Sequence, residues 1–180
     1  MNLLIIEDDE CCRRMLAEWA RVLAKQAGLE LITHETACLE EATVLIDQAD
    51  GILCDGAFYT TRHDLFAYGR VRENWPFVAG HAAHRHIPFA LLSGDVMVCT
   101  RARATGHMVF EKPAGARLAV EWLLGAMALR KEVGAVREPP VLGNQEPGEN
   151  PVVAEMDEMN RRDAERPEEQ ENGKGKKQPA

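Results

Sequence analysis

The chain predicts an α/β fold on a parallel sheet, and three observations carry that prediction. Short runs of branched apolar residues, such as Leu3-Leu4-Ile5-Ile6, alternate with longer stretches whose apolar residues recur at helical spacing. Leu3–Ile6 is apolar throughout, as strands buried on both faces are, and Gly51–Cys54 is again apolar. Four of the five runs end in a chemically loaded residue or pair: Glu7 and Asp8, Asp55, Ser93, and Lys112. Strand–helix alternation implies right-handed βαβ crossovers, which bring all of these ends to one edge of the sheet.

The elements follow in order. After Leu3–Ile6, the residues Met15, Leu16, Trp19, Val22 and Leu23 mark a helix from Cys11 to Ala27, stopped by Gly28. Leu29 to Thr33 reads as the second strand. Thr36 reads as the N-cap of a second helix carrying Leu39, Ala42, Leu45 and Ile46. Gly51 to Asp55 is the third strand. Residues 56–74, with Tyr59, Arg62, His63, Phe66 and Tyr68, read as a long loop or a broken helix. Pro76 suits the start of a helix to about Arg85. Phe89 to Ser93 is the fourth strand, followed by a short helix to about Thr105 with Gly106 as its stop. Met108 to Glu111 is the fifth strand, and a helix spans Ala116 to Arg130.

From about Glu132 the composition shifts to Glu, Gln, Asn and Gly, with most of the nine prolines and few large apolar residues. Such a segment cannot bury enough surface to offset the cost of ordering it. The expected organisation is therefore one folded domain over 1–131 and a disordered, acidic, proline-rich tail over 132–180. The 180 residues leave room for one real core, and the net charge of −8 argues against nucleic acid as a direct partner. The opening apolar run is too short for a secretory leader, and no stretch reaches membrane-spanning length, so a soluble cytoplasmic protein without a membrane partner is expected. The five cysteines show no CxxC spacing and read as reduced thiols; a redox or metal role for Cys11 and Cys12 is the alternative.

The loaded strand ends carry the chemistry. Acids as close as Glu7 and Asp8 repel and raise each other's pKa unless a cation lies between them. Hard oxygen donors suggest Mg²⁺. Add a third carboxylate, a hydroxyl and an ammonium, and the set suits phosphoryl transfer, in which fixed cations and donors hold the charge of the phosphoryl oxygens. Taken singly, the residues have plainer readings: solvated acids for Glu7 and Asp8, a helix cap for Ser93, a surface cation for Lys112. Asp9 and Glu10 read as acids of a first helical turn. His81, His84 and His86 cluster without an acid or thiol to complete a metal shell, so a hydrated helix end is the better reading.

The segments Ile5-Ile6-Glu7-Asp8-Asp9, Ile52-Leu53-Cys54-Asp55, Leu91-Leu92-Ser93-Gly94 and Phe110-Glu111-Lys112-Pro113 stand in the order and near the spacing of a known family. Over roughly residues 1 to 130 the chain resembles the receiver domain of bacterial response regulators. The resemblance implies a flavodoxin-like, doubly wound, five-stranded sheet of order 2-1-3-4-5. It implies that Asp55 is the phosphoacceptor, supplied by a sensor histidine kinase or a histidine phosphotransfer protein. It further implies that Glu7, Asp8, Asp55 and the main-chain carbonyl of Ala57 hold Mg²⁺. Ser93 would contact the phosphoryl oxygens, Lys112 would pair with Asp55 or the phosphate, and Lys112-Pro113 would be cis. Small Gly94 would leave the phosphoryl group accessible.

The chain departs from the family pattern in three places. The segment from Asp55 to Ser93 is long, and its Tyr59–Arg72 portion is expected to hang over the site and modulate access. The segment from Ser93 to Lys112 is short. The aromatic residue expected in the fifth strand is replaced by Val109, with Phe110 one step along and so on the opposite sheet face. The leading expectation is a stand-alone response regulator, not an enzyme beyond its own phosphoryl transfer, acting on an unknown output protein. Arg101, Arg103, Glu111 and Arg117 mark the face where that contact is expected. A receiver-like module that binds without phosphorylation is the second reading. A Mg²⁺-dependent phosphohydrolase is the third, and it lacks a second acid two residues after Asp55, where Ala57 stands.

Overall fold

The computed structural model describes residues 1–67 and 69–137, leaving the side chains of 134–137 aside. Tyr68 and the expected tail from residue 138 onward lie outside the described residues. Five strands, β1 (Asn2–Ile6), β2 (Ile32–Thr36), β3 (Gly51–Asp55), β4 (Phe89–Ser93) and β5 (Met108–Glu111), pair in parallel in the order β2-β1-β3-β4-β5. Helices α1 (Glu10–Gln26) and α6 (Ala116–Arg137) cover one face. The other is covered by α2 (Leu39–Leu45), which ends in a 3-10 turn over Ile46–Gln48, α4 (Trp75–His84) and α5 (Val96–Ala104). A short α3 (Arg62–Phe66) lies within the expected long loop.

Strand periodicity divides the core. Leu4, Ile6, Ile52, Cys54, Phe89 and Leu91 face Ala42, Trp75, Val78, Ala82 and Val98. Leu3, Ile5, Leu53, Ala90 and Leu92 face Leu16, Ala20, Val120, Leu123 and Met127. Successive side chains point to opposite faces, so a run that is apolar throughout can serve both layers. Ala17, Ala20, Ala24 and Ala119 are fully buried and let α1 and α6 lie close on the sheet. Gly28 and Gly106 follow α1 and α5 at φ of 69° and 81°, the left-handed region that glycine enters without steric cost.

Three elements differ from expectation. β2 pairs over Ile32–Thr36, not Leu29–Thr33. Leu29 and Leu31 pack partly buried against the α1/α6 side of the core before pairing begins, and the edge strand itself is largely polar. Thr36 does not cap α2. It is still paired with Ile6, and its hydroxyl donates to Glu41 Oε2 at 2.7 Å while Cys38 takes the cap position. Finally, α6 runs beyond Arg130 to Arg137, since no proline interrupts it before Pro139.

Phe58, just past β3, is fully buried among the residues under α2, α4 and α5. Removing its ring leaves a cavity that the sheet and three helices can close only in part. Phe58→Ala should therefore cost about 3–5 kcal/mol of unfolding free energy, measured by urea denaturation.

Candidate functional site

The strand register brings the loaded residues to one rim. Ile6 pairs with Cys54, so Glu7 and Asp55 stand side by side at the ends of β1 and β3. Asp55 pairs with Leu92 and Ser93 with Glu111, so Ser93 and Lys112 each lie one step further along. Glu7, Asp55 and Lys112 share the strand parity of Ile5, Leu53 and Phe110, the residues that face α1 and α6. Chain order and register thus aim all three at one point.

There the Lys112 ammonium bridges two acids, 2.7 Å from Glu7 Oε2 and 3.1 Å from Asp55 Oδ1. The Glu7 side chain is 2% exposed and the Lys112 side chain 23%. Glu7, Asp8 and Asp55 each present a carboxylate oxygen within 4.8 Å of the other two. Three carboxylates outnumber the Lys112 ammonium, which pairs with two of them, and the Arg13 guanidinium held beside them on the Glu7 and Asp8 carbonyls. Burial, and then the Glu7 carboxylate, push the Asp55 pKa up to about 7, against the opposing pull of Lys112 and the Gly56 N–H. Burial alone would lower the Lys112 pKa, but Asp55 and Glu7 outweigh it and raise it to about 12. A small hard divalent cation fits this donor set, because it would supply the missing positive charge through oxygen ligands.

The backbone around the site is fixed by its own bonds. The Gly56 N–H donates to Asp55 Oδ1 at 2.6 Å. Arg13 Nη1 donates to the Glu7 carbonyl at 2.6 Å and reaches the Asp8 carbonyl at 3.4 Å. Asp9 caps α1 by accepting from the Cys12 N–H at 2.7 Å, and Glu10 lies in the first turn. Ser93 is buried and is not the cap of α5; Asp95 is, accepting from the Met97 and Val98 N–H groups. The Ser93 hydroxyl instead accepts from the Asp95 N–H at 3.2 Å, and the Ser93 carbonyl accepts from the Lys112 N–H at 3.0 Å. The Lys112-Pro113 bond is cis.

Arg13 and Gly56 belong to the site, although motif reading passes over them. A Cβ on Gly56 would stand 2.5 Å from Ser93 Oγ and 2.8 Å from Val98 Cγ1, so only glycine lets the turn after Asp55 pass beneath Ser93. The signal for Arg13 was its place one turn after the acids; the signal for Gly56 was a glycine directly after a strand-end acid. Among the described residues, the group of three or more possible metal ligands is Glu7, Asp8 and Asp55, and no histidine joins one. All five cysteines are free; burial and the Glu7 carboxylate raise the Cys12 pKa to about 11, which leaves an unreactive thiol.

The long segment after Asp55 makes its hydrogen bonds on the α2 side. Tyr59 and Thr60 carbonyls accept from the Leu39 and Glu40 N–H groups, and Arg62 pairs with Glu41 at 2.7 Å. Val109 faces the α4/α5 side of the core, while Phe110 lies on the other face with its ring 6.3 Å from that of Trp122. On the expected output face, Arg101 pairs with Glu73, Arg103 with Glu111, and Arg117 with Glu121.

No protein-family model and no curated protein sequence matches the chain. Its likenesses are structural. A two-component transcriptional regulator AraC from Clostridium phytofermentans ISDg superposes with a TM-score of 0.51 at 12% identity, over 76% of this chain and 99% of that one. A yeast Spc42 trimeric coiled-coil fusion gives 0.53 at 14% identity, over 91% of this chain and 97% of that one. The chemotaxis response regulator CheY4 of Vibrio cholerae gives 0.44 at 17% identity, over 69% and 97%. The chain shares the fold of the two-component transcriptional regulator, a doubly wound five-stranded parallel sheet of order 2-1-3-4-5, and at these identities the likeness is one of fold alone.

Crowded carboxylates oppose folding when no divalent cation is present. In EDTA, Asp55→Asn should stabilise the protein by about 1–2 kcal/mol, because it removes one like charge and keeps Oδ1 as an acceptor. Lys112→Met should shift stability the other way, and urea denaturation of both variants beside the wild type checks the pair.

Proposed function

We propose that this chain is a phosphorylation-controlled signalling switch whose phosphoacceptor is Asp55. The observation that carries the reading is the convergence of Glu7, Asp8 and Asp55 within 4.8 Å, with the Lys112 ammonium between two of them. Glu7, Asp8, Asp55 and the main-chain carbonyl of Ala57 would hold Mg²⁺. When bound, the ion offsets charge on the phosphoryl oxygens. A carboxylate oxygen of Asp55 attacks phosphorus, and the P–N bond of a donor phosphohistidine breaks. The imidazole nitrogen leaves with the electron pair and takes up a proton. Lys112 holds the Asp55 carboxylate and then a phosphoryl oxygen, and the Ser93 hydroxyl donates to another.

The donor would be a sensor histidine kinase or a histidine phosphotransfer protein. The folded domain over 1–131 would pass the signal to an output protein by direct contact, without binding nucleic acid. Among the described residues no helix is long and apolar enough to cross a membrane, and we place this work in the cytoplasm. The acylphosphate chemistry is confined to the protein's own Asp55, so the chain is a switch rather than an enzyme acting on other substrates.

One observation favours a second reading, a receiver-like module that binds its partner without phosphorylation. Val109 stands where an aromatic side chain would couple Ser93 to the outer face, and Phe110 is directed at Trp122 on the far side of the sheet.

A small acyl phosphate separates the two readings. Incubated with Mg²⁺ and acetyl phosphate, the wild type should shift on a phosphate-affinity gel, whereas Asp55→Ala should not. A wild type that binds Mg²⁺ yet takes no phosphate would favour the second reading.

A further inference from the structure

Asn74 stands at the N-cap position of α4, ahead of Trp75-Pro76, and asparagine is among the best capping residues. Its side chain nevertheless makes no capping bond. Instead Asn74 Nδ2 donates to the Phe58 carbonyl at 2.9 Å and lies 3.3 Å from Thr60 Oγ1. The same Phe58 carbonyl accepts from the Arg72 N–H at 3.0 Å, and the Phe58 N–H donates to the Arg72 carbonyl at 3.0 Å. On the other side, the Tyr59 and Thr60 carbonyls are held by the first N–H groups of α2 at 2.9 and 3.0 Å. Residues 58–60 are thus tied on both flanks, and the buried Phe58 ring anchors them from below.

We infer that Asn74 is a positioning residue that holds the turn after Asp55 in its cation-binding form. This rests on the reading of the site given above, in which the Ala57 carbonyl is a metal ligand. Ala57 is the residue before Phe58. A neutral carbonyl ligand contributes only while the backbone keeps it in place, since it carries no charge to draw the ion from a distance. A turn that spends part of its time elsewhere weakens the apparent affinity by the fraction of time it is competent. Asn74 gives up its local role at α4 to close the span from 72–74 to Phe58, so its amide serves the turn rather than the helix. The part of the chain that lengthens the route from Asp55 to β4 thereby acts as a brace on the α2 side of the site.

Two variants separate bracing from capping. Asn74→Asp replaces the Nδ2 donor by an acceptor and Asn74→Ser leaves its hydroxyl one bond short of the Nδ2 position, so both lose the bond to the Phe58 carbonyl while an oxygen stays available to α4. The full chain of each is titrated with MgCl2 by calorimetry, with thermal unfolding in EDTA and amide exchange at Phe58 measured in parallel. Both variants are expected to bind Mg²⁺ about three- to tenfold more weakly, with faster exchange at Phe58 and an unfolding temperature in EDTA close to wild type. The Asp variant adds negative charge that by itself favours a cation, so weaker binding there isolates the lost donor. Wild-type affinity in both variants overturns the inference while leaving the site reading intact. A loss of affinity that only tracks a drop in unfolding temperature also overturns it, because the residue is then merely structural. A wild type that binds no Mg²⁺ removes the site reading and this inference with it.

Discussion

Lys112 reaches across from the end of β5 to two carboxylates that belong to β1 and β3, one of them 105 residues away in sequence. That ammonium is what allows acids to share a buried rim. Bringing Glu7 to 2% exposure strips most of the water from its charge, and an unpaired buried carboxylate costs several kcal/mol. The bridge answers only part of the requirement, since Lys112 pairs with two of the three carboxylates. Burial first, and then the Glu7 carboxylate, hold the Asp55 pKa above its ordinary value. Acids that would relax by moving apart are held together by the sheet.

The rest of the fold can be read as what holds that rim still. Parallel pairing sets the stagger of the strand ends, and the two apolar layers set which face each end addresses. Main-chain bonds then fix the loops. Arg13 holds the Glu7 carbonyl, the Gly56 N–H holds Asp55, and the Lys112 N–H is tied to the Ser93 carbonyl. Ser93 and Gly56 lie so close that no larger residue fits at 56. A site built this way is pre-organised by its backbone, with few long side chains left to order.

The segment between Asp55 and β4 is long, and much of it is folded into local structure. A long loop costs little extra closure entropy for each added residue. The added length here is folded into α3, whose capping box pairs Thr61 with Asp64, and into the short pairing of Phe58 with Arg72. Some of its hydrogen bonds close on the segment itself, and others tie residues 59–62 to α2.

Much of this was determined by the sequence alone, for a definite reason: strands buried on both faces must be apolar throughout, so the runs of β1, β3 and β4 and their loaded ends stood out. Glu7, Asp8, Asp55, Ser93 and Lys112 could be picked out for the same reason, because a charged or hydroxyl residue ending an apolar run has few places to be. The offset of Phe110 from Val109 was also legible, since strand parity needs only counting. Local pattern failed where the tertiary structure overrode it. β2 is an edge strand with little apolar content, so the run at Leu29–Leu31 misplaced its start, and Thr36 was held by the ladder rather than free to cap α2. Only the tertiary structure decided that Lys112 bridges Glu7 and Asp55, that Gly56 passes beneath Ser93, and that Asn74 turns from its helix to Phe58. Those contacts join residues far apart in the chain or set an unexpected side-chain direction, and neither is written in the spacing of residues.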